Sequence, residues 1–210
     1  MTPTQVERKE ETRRQILDAA AAAFAKDGYA ATSLNDVIRH SELTKGAFYF
    51  HFPSKEALAL AVVDDLRDSW SSMATHAVNR EKPAPEQARE MAGLVVEAYS
   101  GNSHFRALGR LVPELVATRP DLAADLQASL FMWIDFIEAI VVRGQSDGAF
   151  RTDLGSRQIA ETIFGAFNGV EELSELTSGG ADLRERIDTL WRILEDGMAT
   201  RQPTEGKAQR

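Results

Sequence analysis

Thr32–Lys55 reads T-S-L-N-D-V-I-R-H-S-E-L-T-K-G-A-F-Y-F-H-F-P-S-K, and this stretch decides the fold. Two short helices fit it, neither large enough to bury a core alone. Ser33 can cap the first, with Asp36 three residues on completing a capping box. Leu34, Val37 and Ile38 then give that helix an apolar face. Ser41–Leu43 is a three-residue turn, and Thr44 can cap a second helix over Lys45–Phe52. Pro53 stops it, because proline drives the preceding residue out of helical geometry. Ser54 caps a long third helix, with Glu56 favourably placed against its dipole. Two short helices across a tight turn form a helix-turn-helix, whose second helix enters the major groove of DNA.

That second helix has the chemistry for the task. Thr44, Lys45, Tyr49 and His51 supply hydroxyl, ammonium and imidazole donors for phosphates or base edges. Gly46 and Ala47 leave its first turn bare, so that backbone and base edges can approach closely. Phe48 and Phe52 fall on the opposite face and anchor the helix to its neighbours. The pattern alone also fits an ordinary pair of packed helices.

The match extends beyond the pattern. Gly28-Tyr29, Thr32-Ser33, Asp36-Val37, Thr44-Lys45-Gly46, Tyr49, His51-Phe52 and Ser54-Lys55-Glu56 closely resemble the N-terminal domain of TetR-family transcriptional regulators, without a gap from about Thr12 to Leu66. The resemblance implies an all-α protein with a three-helix DNA-binding domain at 1–53. Behind it comes a helical ligand-binding and dimerisation domain at 54–199; the polar, non-periodic stretch 200–210 reads separately as a disordered tail. It implies DNA contacts from Thr32, Ser33, Thr44, Lys45, Gly46, Ala47, Tyr49, His51 and Lys55.

Charge agrees with a protein that touches DNA at one end. The 210 residues carry a net charge of −8, which argues against a generic nucleic-acid binder. Residues 1–55 nevertheless hold eight Lys/Arg against seven Asp/Glu, while the remainder holds sixteen against twenty-five. Binding should then lean on a few placed contacts and on dimer avidity. The absence of cysteine excludes disulfides, thiolate metal sites and cysteine nucleophiles. Met1–Glu11 is polar rather than a signal sequence, and no stretch approaches the length of a membrane span, so a cytoplasmic location is expected.

Helical periodicity continues along the chain. Thr12–Asp27 has Ile16, Ala20, Ala23 and Phe24 on one face and ends at Gly28. Arg8, Lys9, Arg13 and Arg14 near its start can meet phosphates or the minor groove, or simply form a solvated helix start. Ser54 to about Asn79 is one helix of about 39 Å, the mechanical link to the rest of the chain. Helices follow over Glu86–Ser100 and from about His104, the latter kinked or shortened at Pro113. Pro120-Asp121 opens a long helix that is apolar nearly all round and runs to Asp147-Gly148. Ser156–Leu176 carries Gly165 and Gly169 mid-helix, where small residues permit close approach or simply tight packing. Asp182 with Glu185 is a second capping-box-like start, before the apolar stripe of Leu183, Ile187, Leu190, Trp191, Leu194 and Met198. The total is nine helices and no strand. The last two suit a homodimer closed as a four-helix bundle, which would set two recognition helices about 34–36 Å apart on an inverted-repeat operator.

Nothing in the back half points to catalysis. His40, His51, His76 and His104 show no metal-ligand spacing, and there is no nucleophile elbow or phosphate-cradling loop. Neither an enzyme, a metal site nor a cofactor is expected; Glu171, Glu172 and Glu175 read as a solvated face or a dimer contact. Ligand sensing fits better. L-F-M-W-I-D-F around Trp133, G-A-F-N-G-V-E-E-L around Asn168 and the Ala181–Leu194 helix resemble the γ-butyrolactone receptor subgroup of actinomycete signalling. That resemblance implies a butyrolactone, butenolide or furan autoregulator, with Trp133 packed on the ligand and a small polar residue at Asn168, where the subgroup often has a hydroxyl. Leu66, Trp70, Phe105, Leu108, Leu130, Ile137 and Phe164 would complete the wall, although core packing accounts for each apolar residue as well. Ligand would release the repressor from DNA by favouring the arrangement that cannot bind it. A ligand-orphan regulator and a multidrug sensor of the same fold are the rival readings.

Overall fold

In the computed structural model the described residues are 4–77, 81–101 and 103–200. They form nine helices: α1 (Gln5–Ala31), α2 (Leu34–His40), α3 (Lys45–His51), α4 (Lys55–Ala77), α5 (Ala84–Gly101), α6 (Ser103–Thr118), α7 (Ala123–Ser146), α8 (Ser156–Ser178) and α9 (Leu183–Met198). A 3-10 turn at Pro120–Leu122 leads into α7. Among the described residues no helix is long and apolar enough to cross a membrane. The chain clusters into two compact units, Met1–His76 with Glu97–Ser129, and Ala77–Val96 with Leu130–Arg210.

The first unit is built on α1, which starts seven residues before the expected Thr12. Thr4 caps it, accepting from the Glu7 N–H at 3.2 Å while the Glu7 carboxylate accepts from the Thr4 N–H at 2.6 Å. Those first turns hold one apolar side chain, the exposed Val6, so apolar periodicity could not reveal them. Ile16, Leu17, Ala20, Ala21 and Phe24 bury the inner face, which packs along α6. Helical geometry breaks at Gly28 (φ 79°, ψ 170°), a backbone region open essentially to glycine alone, and one further turn runs to Ala31.

That break leaves backbone groups in need of partners, and charged side chains supply them. Glu114 of α6 accepts from the Ala30 N–H at 2.7 Å, and a Cβ on Gly28 would collide with the same carboxylate. Lys55 donates to the Ala30 carbonyl at 3.3 Å and lies 4.3 Å above the Tyr29 ring. Burial lowers the pKa of this ammonium and raises that of the Tyr29 hydroxyl. Arg119, at the end of α6, pairs with Glu56 in the first turn of α4 and with Asp121. Helix α6 is thereby fastened to the turn entering α2 and to the start of α4. Pro113 does not shorten α6, which runs on to Thr118 with Leu111, Val112 and Leu115 buried on both sides of the proline.

In the second unit Ala84, Ala88, Ile134, Ile137, Ile140, Val141, Phe150, Ile159, Ala160 and Met198 form one apolar core. The expected capping box at Asp182 does not form. Its carboxylate instead accepts from Ser174, Ser178 and Arg186 at 2.6–2.7 Å, and these donors hold its pKa far below the usual carboxylate range. Among the described residues nothing lies within 4 Å of a Cβ built on Gly165 or Gly169, so neither is demanded by close packing here. Thr200, expected to open the tail, is instead tied down. Its hydroxyl donates to the Gly148 carbonyl at 2.8 Å and its N–H to that of Ala149 at 3.4 Å. The remainder of the expected tail, 201–210, lies outside the described residues.

Candidate nucleic-acid interface

Helices α2 and α3 are short, so their caps and anchors must hold them. Ser33 caps α2 by accepting from the Asp36 N–H at 3.2 Å, and its hydroxyl donates to Asp36 Oδ2 at 2.5 Å. With Arg39 paired to the other oxygen, these donors lower the Asp36 pKa. Thr44 caps α3 by accepting from the Ala47 N–H at 3.2 Å. Phe48 and Phe52 are buried beneath α3, with ring centroids 6.4 Å apart, and Val37 and Ile38 are buried beneath α2. The anchoring expected of the two phenylalanines is what the structure has.

The opposite face of α3 is open. Thr44, Lys45, Gly46 and Tyr49 are exposed, Ala47 and His51 half-buried. Among the described residues nothing lies within 4 Å of a Cβ built on Gly46, so the chain's own packing does not call for a glycine there. His51 has its pKa lowered from the ordinary 6.5 by burial first, then by Lys9 and Arg13 of α1.

Two expected contacts have other tasks. Thr32 is buried, and its hydroxyl donates to the Gly28 carbonyl at 2.7 Å, so it closes the end of α1 instead of facing a phosphate. Lys55 is held by the Ala30 carbonyl and the Tyr29 ring, which fixes α4 on α1. One residue went unread in the sequence: Phe50, with 71% of its surface exposed beside Tyr49. Lys9 Nζ sits 5.4 Å from its ring centroid, and the Arg13 guanidinium lies 5.6 Å from that of Phe52. The first turns of α1 therefore brace the outer end of α3. Helical spacing carried the signal, since Phe50 lies one turn beyond Gly46.

The residues expected around a ligand lie in both units. Leu66 is buried within the first, and Trp70, Phe105 and Leu108 fall on α4 and α6 with side chains outside the described part. In the second unit Ile137 is buried, Leu130, Trp133 and Phe164 are half-buried, and the Asn168 amide donates to the Phe164 carbonyl at 2.7 Å. This bond spends one Asn168 donor on its own helix and leaves its carbonyl oxygen to accept. A hollow of about 10 Å³ lies among Met91, Ile137, Phe150, Ile163, Trp191 and Met198. It has room for about one water molecule, so it cannot hold an autoregulator ring.

Known proteins share both the interface and the whole architecture. The profile described as "Bacterial regulatory proteins, tetR family" matches residues 16–62, which takes in α2, α3 and their α1 support. The solved structure of native TylP, a TetR regulator from Streptomyces fradiae, superposes with a TM-score of 0.71 at 32% identity, over 92% of this chain and 89% of that one. The chain belongs to the TetR family. A solved structure described as a gamma-butyrolactone receptor (ArpA-like protein) matches this TetR-family chain with a TM-score of 0.76 at 26% identity, over 94% and 91% of the two chains. The A-factor receptor protein of Streptomyces griseus is 32% identical over 191 residues, 90% of this chain. This TetR-family chain spans 64% of that relative's length.

Proposed function

We propose that this TetR-family protein is a transcriptional repressor that binds an inverted-repeat operator as a homodimer and is released by a small autoregulator of butyrolactone, butenolide or furan type. The observation that carries the DNA-binding part is α3: its capped, polar face stands free while Phe48 and Phe52 lock its other face into the fold. Ser33, Thr44, Lys45, Tyr49 and His51 are the side chains that would meet phosphates and base edges, and Gly46 and Ala47 the positions of closest approach. This assigns operator binding to 1–53 and effector binding and dimerisation to 54–199, in the cytoplasm where the chromosome lies. Exposed Leu173 and Leu176 on α8 and Ile193 on α9 support the dimer, since they are apolar groups that a second copy would cover.

The likeness to a gamma-butyrolactone receptor and to the A-factor receptor supports the ligand class. Trp133 would stack on the ligand ring and Asn168 would accept from its head group, with Leu130, Ile137 and Phe164 of the same unit as apolar wall. Effector and operator then oppose each other by the same factor in both directions. A test is operator titration by fluorescence anisotropy, on a duplex obtained by selection from random sequence, across a panel of lactones and furans. One tight chemotype that weakens operator binding supports the reading. No effector at all points to a ligand-orphan regulator, many weak ones to a multidrug sensor, and no enriched duplex defeats the repressor.

A further inference from the structure

The exposed face of α3 is polar except for Phe50. Full burial of such a side chain is worth about 1.5–3 kcal/mol, and Phe50 leaves 71% of its surface in water. Among the described residues the groups set against the ring are His51, edge-on at 5.3 Å between centroids, and the Lys9 ammonium. A phenyl ring has no hydrogen-bonding atom, so it cannot hold a phosphate oxygen as Tyr49 can. In a major groove the one apolar group within reach of such a ring is the C5-methyl of thymine.

We propose that Phe50 determines operator sequence by packing on a thymine methyl, one in each half-site. Lys9 holds the ring from the α1 side and pairs with the neighbouring phosphate. The inference rests on the placement of α3 in the major groove argued above, and adds which base is read and by what. The early start of α1 is an independent support: the two turns begun by the Thr4–Glu7 cap are what bring Lys9 over the ring. Lysine contributes twice here, because a cation is attracted to the ring face and to the phosphate alike.

Deoxyuridine differs from thymidine only by the missing methyl, so it isolates this contact. Every thymine of the selected operator is replaced singly by deoxyuridine, symmetrically in both half-sites, and binding is measured for wild type, Phe50→Ala and Phe50→Leu. For the wild type one position should weaken binding about fourfold per half-site, the worth of one methyl-sized group (~0.8 kcal/mol). Phe50→Ala should bind both duplexes alike, and Phe50→Leu should keep part of the discrimination. Because Phe50 is exposed, both variants should keep the wild-type circular dichroism. A wild-type scan flat at every thymine, a selected operator without an invariant thymine, or an undiminished deoxyuridine penalty in Phe50→Ala overturns the proposal while operator binding itself stands. Failure to enrich any duplex removes both.

Discussion

Replacing Gly28 by alanine tests the joint between the DNA-binding helices and α6. Two costs arise at once. The backbone at φ 79°, ψ 170° is strained for any residue with a Cβ, by about 1–3 kcal/mol. The new methyl also strikes the Glu114 carboxylate and displaces it from the Ala30 N–H, a charge-assisted bond worth at most roughly 1.5 kcal/mol at this exposed site. A total of about 3 kcal/mol should lower the melting temperature by about 6–12 °C for a chain of this size. Melting is followed by circular dichroism at one fixed protein concentration, since dimerisation would otherwise shift the midpoint. Glu114→Ala alone should lose only its bond. The double variant should fall short of the summed losses by about 1.5 kcal/mol, because the Glu114–Ala30 bond is lost in both single variants and can be lost only once, while the backbone strain remains. A Gly28→Ala protein melting within 1 °C of wild type, or strictly additive losses in the double variant, would refute the reasoning.

Three further outcomes are expected. Burial and the Lys9 and Arg13 charges lower the His51 pKa in the free protein, so it is neutral at pH 7.5; a bound phosphate raises it, and binding takes up a proton. Operator affinity should therefore rise about threefold from pH 7.5 to 6 at constant ionic strength, and His51→Gln should flatten that profile in anisotropy titrations. Leu176→Glu, at a site 72% exposed in the protomer, should weaken self-association by about tenfold or more in sedimentation velocity, because a charge would have to enter the dimer contact. Gly46→Ala should raise the melting temperature by about 1–4 °C yet weaken operator binding about tenfold, read by thermal denaturation and anisotropy on one preparation.

Much of the first unit is legible in the sequence because its determinants are local. Ser33 and Thr44 cap from three residues away, and Phe48 and Phe52 share a face by helical spacing. Even the start of α1 was written as a T-Q-V-E capping box, obscured by turns whose single apolar residue, Val6, makes no periodic stripe. What escapes is long-range. Lys55 and Thr32 look like DNA contacts until Ala30 and Gly28 claim them, and the Glu114–Ala30 bond joins residues 84 apart in the chain. Asp182 misleads for a related reason, because Ser174, Ser178 and Arg186 outcompete the helix end for its carboxylate. The ligand residues are harder still, since burial in a core and burial against a ligand select the same apolar types.

The open space over Gly46 bears on how this protein could be engineered. A campaign that ranked variants by heat resistance would promote a bulkier residue at that position and count it as progress, for the free molecule offers no objection. On the operator contact proposed for Gly46, only a screen run with the cognate duplex in the tube would register the loss, and robustness and purpose would then pull in opposite directions.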